Sequence, residues 1–308
     1  MKRLFAMLLC LTLLAGCGSD PTAGEGISFT DDTGTAVTVA PKPEKVAVLL
    51  SSLADLWITA GGRVAITVGE TVERGFADDT AILVDAGAGK TIDLEALVAQ
   101  KPDLVIYSSQ IAGQAACAET LRAAGIPAAG FQVETFEDYI RVLKIATEIL
   151  QTPERFETYG TQVQQRVEQI FADAGSREEN PSVLFVRAGS SARFTKAKNA
   201  ENHFVCRMLQ ELGAENIADR APVLLDGLSI EHILTQDPDM ILFTTMGDES
   251  QGSAYMESLL KDPVWQELTA VQAGRVYQLP KELFQFKPNA RWDEAYAYLL
   301  DLLYGGTP

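Results

Sequence analysis

The sequence predicts an α/β protein of two similar lobes with mainly parallel sheets, joined by one long helix, with a ligand cleft between the lobes. Three observations carry this. Strand-like apolar runs alternate with helical patterns, one such unit recurs without gaps in each half, and a long helical stretch separates the halves.

The chain opens with Lys2 and Arg3, an apolar run from Leu4 to Leu14, and the small pair Ala15-Gly16. A basic start, an apolar stretch too short to span a bilayer and small residues at a cleavage point make an export signal over residues 1–16. Leu14-Ala15-Gly16-Cys17 also resembles the bacterial lipobox, in which the cysteine thiol is acylated and becomes the new N-terminus. Cys17 is therefore expected to anchor the chain in the cell membrane on its extracytoplasmic face, in the periplasm or at the cell surface. Residues 17–26, with Gly18, Ser19, Asp20, Pro21 and Gly24, then read as a tether. An ordinary secretory signal that contains a cysteine is the plainer alternative.

From residue 27 to 134 the pattern is strand and helix in turn: "KVAVLL" then "LADLWITAGG", and "LVIYSS" then "AETLRAAG". This is the N-terminal lobe. Residues 135–175 form the linking helical stretch, with Ile140, Leu143 and Ile149 at helical spacing. Thr152-Pro153-Glu154 reads as a break with a fresh N-cap, so the link is one helix or two. Residues 176–308 make the C-terminal lobe, with strands at "SVLFVRAG", "DMILFTT" and "GRVYQLP".

The duplication aligns Ile92 to Ser109 with Leu228 to Thr245, so that Glu95 falls on Glu231, Pro102 on Pro238, Asp103 on Asp239 and Tyr107 on Phe243. Each copy reads as a helix capped by Asp93 or Ser229, a Pro-Asp turn and a buried parallel strand. Ligands settle outside the carboxyl ends of strands in open α/β sheets. Tyr107-Ser108-Ser109 and Thr244-Thr245-Met246 are thus expected to face each other across the cleft.

The chain has 308 residues, 47% hydrophobic and 22% charged, enough for one large core or two smaller ones. Its formal charge of -17 argues against nucleic acid or anionic lipid as a general surface partner. Of the four cysteines, Cys10 leaves with the signal and Cys17 carries lipid. Cys117 and Cys206 read as two buried thiols, a disulfide between them being the unsupported alternative.

Two lobes behind an export signal, with "DLEALVAQKPDLVI" in one and "GAENIAD", "SIEHILTQDPDMIL" and "VWQELTAVQAGRVYQLP" in the other, resemble the solute-binding proteins of ABC importers. The likeness runs from about Ile27 to Tyr304 and is greatest to the class that delivers ferric siderophores, haem and cobalamin. It implies a non-enzymatic receptor without cofactor, expected to be a monomer, whose lobes are bridged by a stiff helix and open modestly. It also implies partners: an iron chelate or related small molecule, and a permease with its ATPase. A glutamate on an exposed helix of each lobe meets the permease in that family, and the matching positions are Glu95 and Glu231. A first-turn glutamate is also favoured by the helix dipole in any protein, by ~0.3–1 kcal/mol.

Candidate ligand contacts come from the loops after strands: Glu70, Tyr107, Ser108, Arg187, Phe194, Lys196, Met246, Phe284, Phe286 and Arg291. Arg187, Arg193, Lys196 and Lys198 crowd one region, with Lys287 and Arg291 near another. Such cations suit an anionic ferric chelate, and the phenylalanines would supply apolar walls. Solvated loops paired with nearby acids would look the same.

Cobalamin is a weaker reading, because the loops that would stack on a corrin offer Glu70-Thr71, Ser108 and Leu225, while Trp57, Trp265 and Trp292 sit in helical patterns. For haem, Tyr107 could serve as axial ligand, whereas His203 and His232 lie in helical patterns. Two isolated histidines do not make a site for a free metal. Gly87-Ala88-Gly89-Lys90-Thr91 imitates a phosphate loop, but Val84 stands where its first glycine belongs. A tethered extracytoplasmic hydrolase is the alternative of another class, without a G-x-S-x-G elbow to support it.

Overall fold

The computed structural model describes residues 26–85 and 91–305. Cys17 and the Gly87-Ala88-Gly89-Lys90 segment lie outside the described residues.

An antiparallel hairpin, β1 (Ile27–Thr30) and β2 (Ala36–Val39), comes first. The first lobe then alternates: β3 (Val46–Val48), α1 (Ser51–Thr59), β4 (Ile66–Thr67), α2 (Gly69–Glu73), β5 (Ile82–Leu83), α3 (Leu94–Ala99), β6 (Leu104–Ser108), α4 (Ala112–Ala115), α5 (Ala118–Ala123) and β7 (Ala128–Phe131). Its sheet runs β5-β4-β3-β6-β7, all parallel.

The link is two helical pieces. α6 (Phe136–Leu150) starts in a capping box, where Thr135 accepts from the Asp138 amide and Asp138 from the Thr135 amide. It ends at Gln151, whose φ of 55° is left-handed. α7 (Pro153–Phe156) restarts the helix with proline at its first position, where no amide is needed, and passes through a π turn, Glu157–Thr161, into α8 (Gln162–Gly175). The break falls at the Thr152-Pro153-Glu154 signal.

The second lobe contains β8 (Ser182–Ala188), β9 (Lys196–Ala197), α9 (Phe204–Glu211), β10 (Glu215–Asn216), α10 (Ile217–Arg220), α11 (Ile230–Gln236), β11 (Met240–Thr245), α12 (Glu249–Leu260), α13 (Thr269–Gln272), β12 (Val276–Gln278), α14 (Lys281–Phe284) and α15 (Trp292–Tyr304). Its parallel order is β10-β8-β11-β12, and β9 pairs antiparallel with the upper part of β8.

The duplicated segments take the same local fold. α3 and α11 each bury one apolar residue, Leu97 and Ile233, and stop at Lys101 and Asp237, both with positive φ and both before a proline. Asp103 then accepts from the amides of Glu44 and Lys45 at 3.0 and 2.7 Å, at the foot of β3. Its repeat partner Asp239 accepts from the amide and hydroxyl of Ser182, both at 2.8 Å, at the foot of β8. The same aspartate thus ties the repeat to the neighbouring strand in both lobes.

One apolar cluster runs from the first sheet (Val46, Leu104) through α6 and α8 (Leu143, Val163) into the second (Val183, Phe185) and onto α15. Trp292 is its pivot, edge-on to Phe136 at 6.1 Å and to Phe204 at 6.0 Å. Trp57 and Trp265 are buried as well, and Cys117 and Cys206 are free buried thiols. A continuous close-packed core across the lobes resists wide hinge motion.

Candidate functional site

The strand order reverses between β3 and β6 in one sheet and between β8 and β11 in the other. These reversals put the tips of both sheets beside the space between the lobes. An opening there measures about 820 Å³. Glu70 and Glu73 of α2 and Arg74 at its C-cap line it from the first lobe, and Arg187, Lys281, Glu282 and Phe286 from the second. α2 is held in place by the Gly69 amide, which donates to Asp85 Oδ1 at 2.9 Å.

Beside it run two smaller grooves, of about 190 and 250 Å³, with Gln132 and Glu134 in the walls of both. A short strap of the second lobe, residues 286–289, lines the main cleft with Phe286 and the groove of about 190 Å³ with Lys287 and Asn289. Arg74 stacks on Phe286 with 3.6 Å from guanidinium carbon to ring centre, and Lys287 Nζ pairs with Glu134 at 2.6 Å. Asn289 donates to the Ser52 carbonyl at 2.9 Å and to Asp55 at 2.7 Å. Asn289 holds a φ of 48° and is buried. Burial pushes the Asp55 carboxyl up, partly offset by its bond from Asn289.

Arg187 reaches the cleft from the end of β8, directly opposite Lys196 on β9. The Gln285 amide, with its oxygen accepting from Arg187 Nη2 and its nitrogen donating to the Thr245 carbonyl, both at 3.3 Å, steadies the guanidinium. Arg187 Nε is buried without a partner. Desolvation pulls the Arg187 guanidinium below its ordinary range. The Lys198 ammonium is lowered by desolvation and then by the charges of Arg187 and Lys196. Three cations therefore gather here, and none is in an ion pair among the described residues.

Of the other expected contacts, Glu70 and Phe286 line the main cleft and Ser108 lines a smaller groove. Met246, half-buried at the tip of β11, precedes the cleft residue Gly247. Phe194 is 52% exposed on the loop before β9, with Arg193 over its ring at 5.6 Å.

Three expectations are corrected. Tyr107 is buried, packed between β6 and the outer helices and lying on Gly130, where an added Cβ would come 2.7 Å from the ring. Its alternation along β6 aims it away from the cleft, and Arg122 takes its hydroxyl. Phe284 is fully buried against Tyr298, because α14 turns that face to the core. Arg291 forks onto Glu294 at 2.7 and 2.6 Å, one turn along α15, and lines none of these openings. Lys287 is likewise spoken for by Glu134.

Arg74, Glu73, Lys281 and Glu282 were not anticipated. The stretch after β4 reads as a loop, whereas it forms α2, which presents Glu70, Glu73 and Arg74 together at helical spacing. His203 caps α9, its Nδ1 accepting from the Val205 amide at 3.3 Å. Desolvation, with the nearby cations Lys287, Arg187 and Lys198, pushes it down to about 3. Glu95 and Glu231 are exposed in the first turns of α3 and α11 and form no ion pair among the described residues.

Residues 46–283 match the family model described as periplasmic binding protein. Among solved structures, a periplasmic solute binding protein from Veillonella parvula DSM 2008 is 21% identical, with a TM-score of 0.71 over 91% of this chain and 86% of that one. The periplasmic heme-binding protein RhuT from Roseiflexus sp. RS-1, in apo form, is 20% identical with a TM-score of 0.69, over 86% and 99%. Staphylococcus aureus SirA complexed with staphyloferrin B is 17% identical with a TM-score of 0.67, over 91% and 98%. No curated protein sequence matches.

Proposed function

Since the chain belongs to the periplasmic binding protein family, we propose that it is the extracytoplasmic solute-binding component of an ABC importer, capturing a ferric siderophore and delivering it to the permease. It performs no chemistry on its cargo. The observation that carries this is the uncompensated cation group at the cleft, Arg187 with Lys196 opposite, at the mouth of an opening of about 820 Å³. Oxygen anions of a metal chelate would supply the counter-charge and a bidentate partner for the guanidinium. The solved structures of similar fold include proteins bound to staphyloferrin B and to a ferric acinetobactin complex, which supports the ligand class.

In this reading Cys17 carries the lipid that moors the body outside the membrane, and Glu95 and Glu231 present paired acids to the permease. Haem and cobalamin are the alternatives within the same fold, and a solved heme-binding relative in fold keeps haem in view. Against haem, Tyr107 is in the core and the Nδ1 of His203 caps a helix.

Intrinsic fluorescence titration with ferric catecholate, ferric hydroxamate, ferric citrate, haem and cobalamin tests the proposal. A ferric chelate should bind most tightly. Preference for cobalamin, or no binding to any of the five, would sink it.

A further inference from the structure

The main cleft carries charges of both signs that do not close into ion pairs with one another. Glu70, Glu73 and Glu282 line it, and so do Arg74, Arg187 and Lys281. None of the six is in an ion pair among the described residues. Outside the cleft, by contrast, the neighbouring cations Lys287 and Arg291 each hold a carboxylate at 2.6 Å.

The two signs are also sorted in space. Arg74 and Lys281 are drawn to the ring of Phe286, at 3.6 and 5.5 Å from its centre, and Arg74 donates to Ser51 Oγ at 2.8 Å. The acids Glu70 and Glu282 act on Arg74 electrostatically, so they share the end of the cleft where two cations are already engaged, and Glu73 lines the same opening from α2. At the other end Arg187 has Lys196 opposite and Lys198 close by. Glu70 and Glu73 come from α2 of the first lobe and Glu282 from α14 of the second, whereas Arg187 comes from the end of β8 and Lys196 from β9.

A wholly anionic guest would press against the carboxylates, and a wholly cationic one against Arg187 and the lysines. Resting on the receptor reading above, we infer that the ligand is dipolar: its oxygen anions meet Arg187, and a protonated amine or similar cation meets Glu70, Glu73 and Glu282. Like charge set against like charge is a strong negative filter, so this arrangement sets specificity as well as affinity.

The test uses one synthetic ferric carboxylate-hydroxamate chelate bearing a pendant primary amine, the same chelate N-acetylated, and ferric citrate, titrated into the mature protein by calorimetry. A charge-assisted hydrogen bond is worth roughly tenfold or more in affinity. Acetylation should therefore weaken binding about tenfold, and that difference should shrink to about twofold or less in the Glu70→Gln/Glu73→Gln/Glu282→Gln variant, whose folding is checked by its melting temperature. Acetylation without effect in the wild type, or ferric citrate bound more tightly than the amine chelate, overturns the dipolar ligand and leaves the receptor standing. Failure of all three chelates to bind, together with haem and cobalamin, removes the receptor reading and the inference with it.

Discussion

Arg187 on β8 and Lys196 on β9 stand directly opposite one another across an antiparallel pair. Like charges in this position destabilise a sheet. The empty cleft should therefore gain from losing one of them, while a bound anion should lose its main contact. Arg187→Met is expected to leave the melting temperature equal or higher and to weaken ferric chelate binding at least about tenfold. Unchanged affinity by fluorescence titration would remove Arg187 from the ligand contacts.

The repeat aspartates make a stability prediction. Asp239 accepts twice from Ser182, and Asp103 twice from the chain entering β3. Asp239→Ala should cost about 1–3 kcal/mol in urea denaturation, since it leaves a half-buried strand foot without its acceptor. Ligand affinity should stay within about twofold, because the strand foot is at the end of the sheet away from the cleft. An undiminished unfolding midpoint would show the tie to be ornamental.

Lys287 and Glu134 bridge the lobes, with side chains 19% and 32% exposed. Removing one partner strands the other in a poorly solvated place. Lys287→Met alone should cost about 2 kcal/mol, and adding Glu134→Gln should recover part of it. Strict additivity of the two substitutions would mean the pair does not interact.

His203 supplies a pH dependence with a defined sign. Its folded value is pushed down to about 3, mainly by desolvation, while the unfolded chain titrates at the ordinary 6.5. The unfolded state binds more protons throughout that window, so stability is full above the unfolded value and is lost as pH falls below it. About 2 kcal/mol should go between pH 7 and pH 5. His203→Asn keeps a helix-capping oxygen and should flatten this slope. Melts of both proteins at pH 5, 6 and 7 decide the matter, and parallel curves would exclude His203.

If Glu95 and Glu231 engage a permease, Glu95→Ala with Glu231→Ala should leave chelate affinity unchanged and lower uptake at limiting substrate. Uptake equal to wild type would end that assignment.

Much of the fold is legible in the chain because its causes are local. Alternating apolar runs, the Asp93 cap, the Pro-Asp turn of each repeat and the Thr152-Pro153 break each act within a few residues, and the helices and parallel strands follow them, although the Ser229 hydroxyl pairs with His232 Nδ1 and leaves α11 without a side-chain cap. Position along the strand likewise places Ser108 and Arg187 at the openings and Met246 next to the cleft residue Gly247. Tyr107, Phe284 and Arg291 were misplaced because strand tips and helix ends alternate in direction, and which side faces the gap depends on packing against α5, Tyr298 and Glu294. Arg74 and Glu282 went unseen since α2 and α14 are too short to announce themselves by periodicity.

By itself the sequence determined the paired lobes, the helical link and the cations that end β8 and begin β9, because each depends on neighbours along the chain. Only the tertiary structure decided which charges remain unpaired. Lys287 finds the carboxylate of Glu134 and Arg187 finds none among the described residues, an outcome set by distances between segments more than a hundred residues apart, where through-space electrostatics and desolvation act without regard to sequence order.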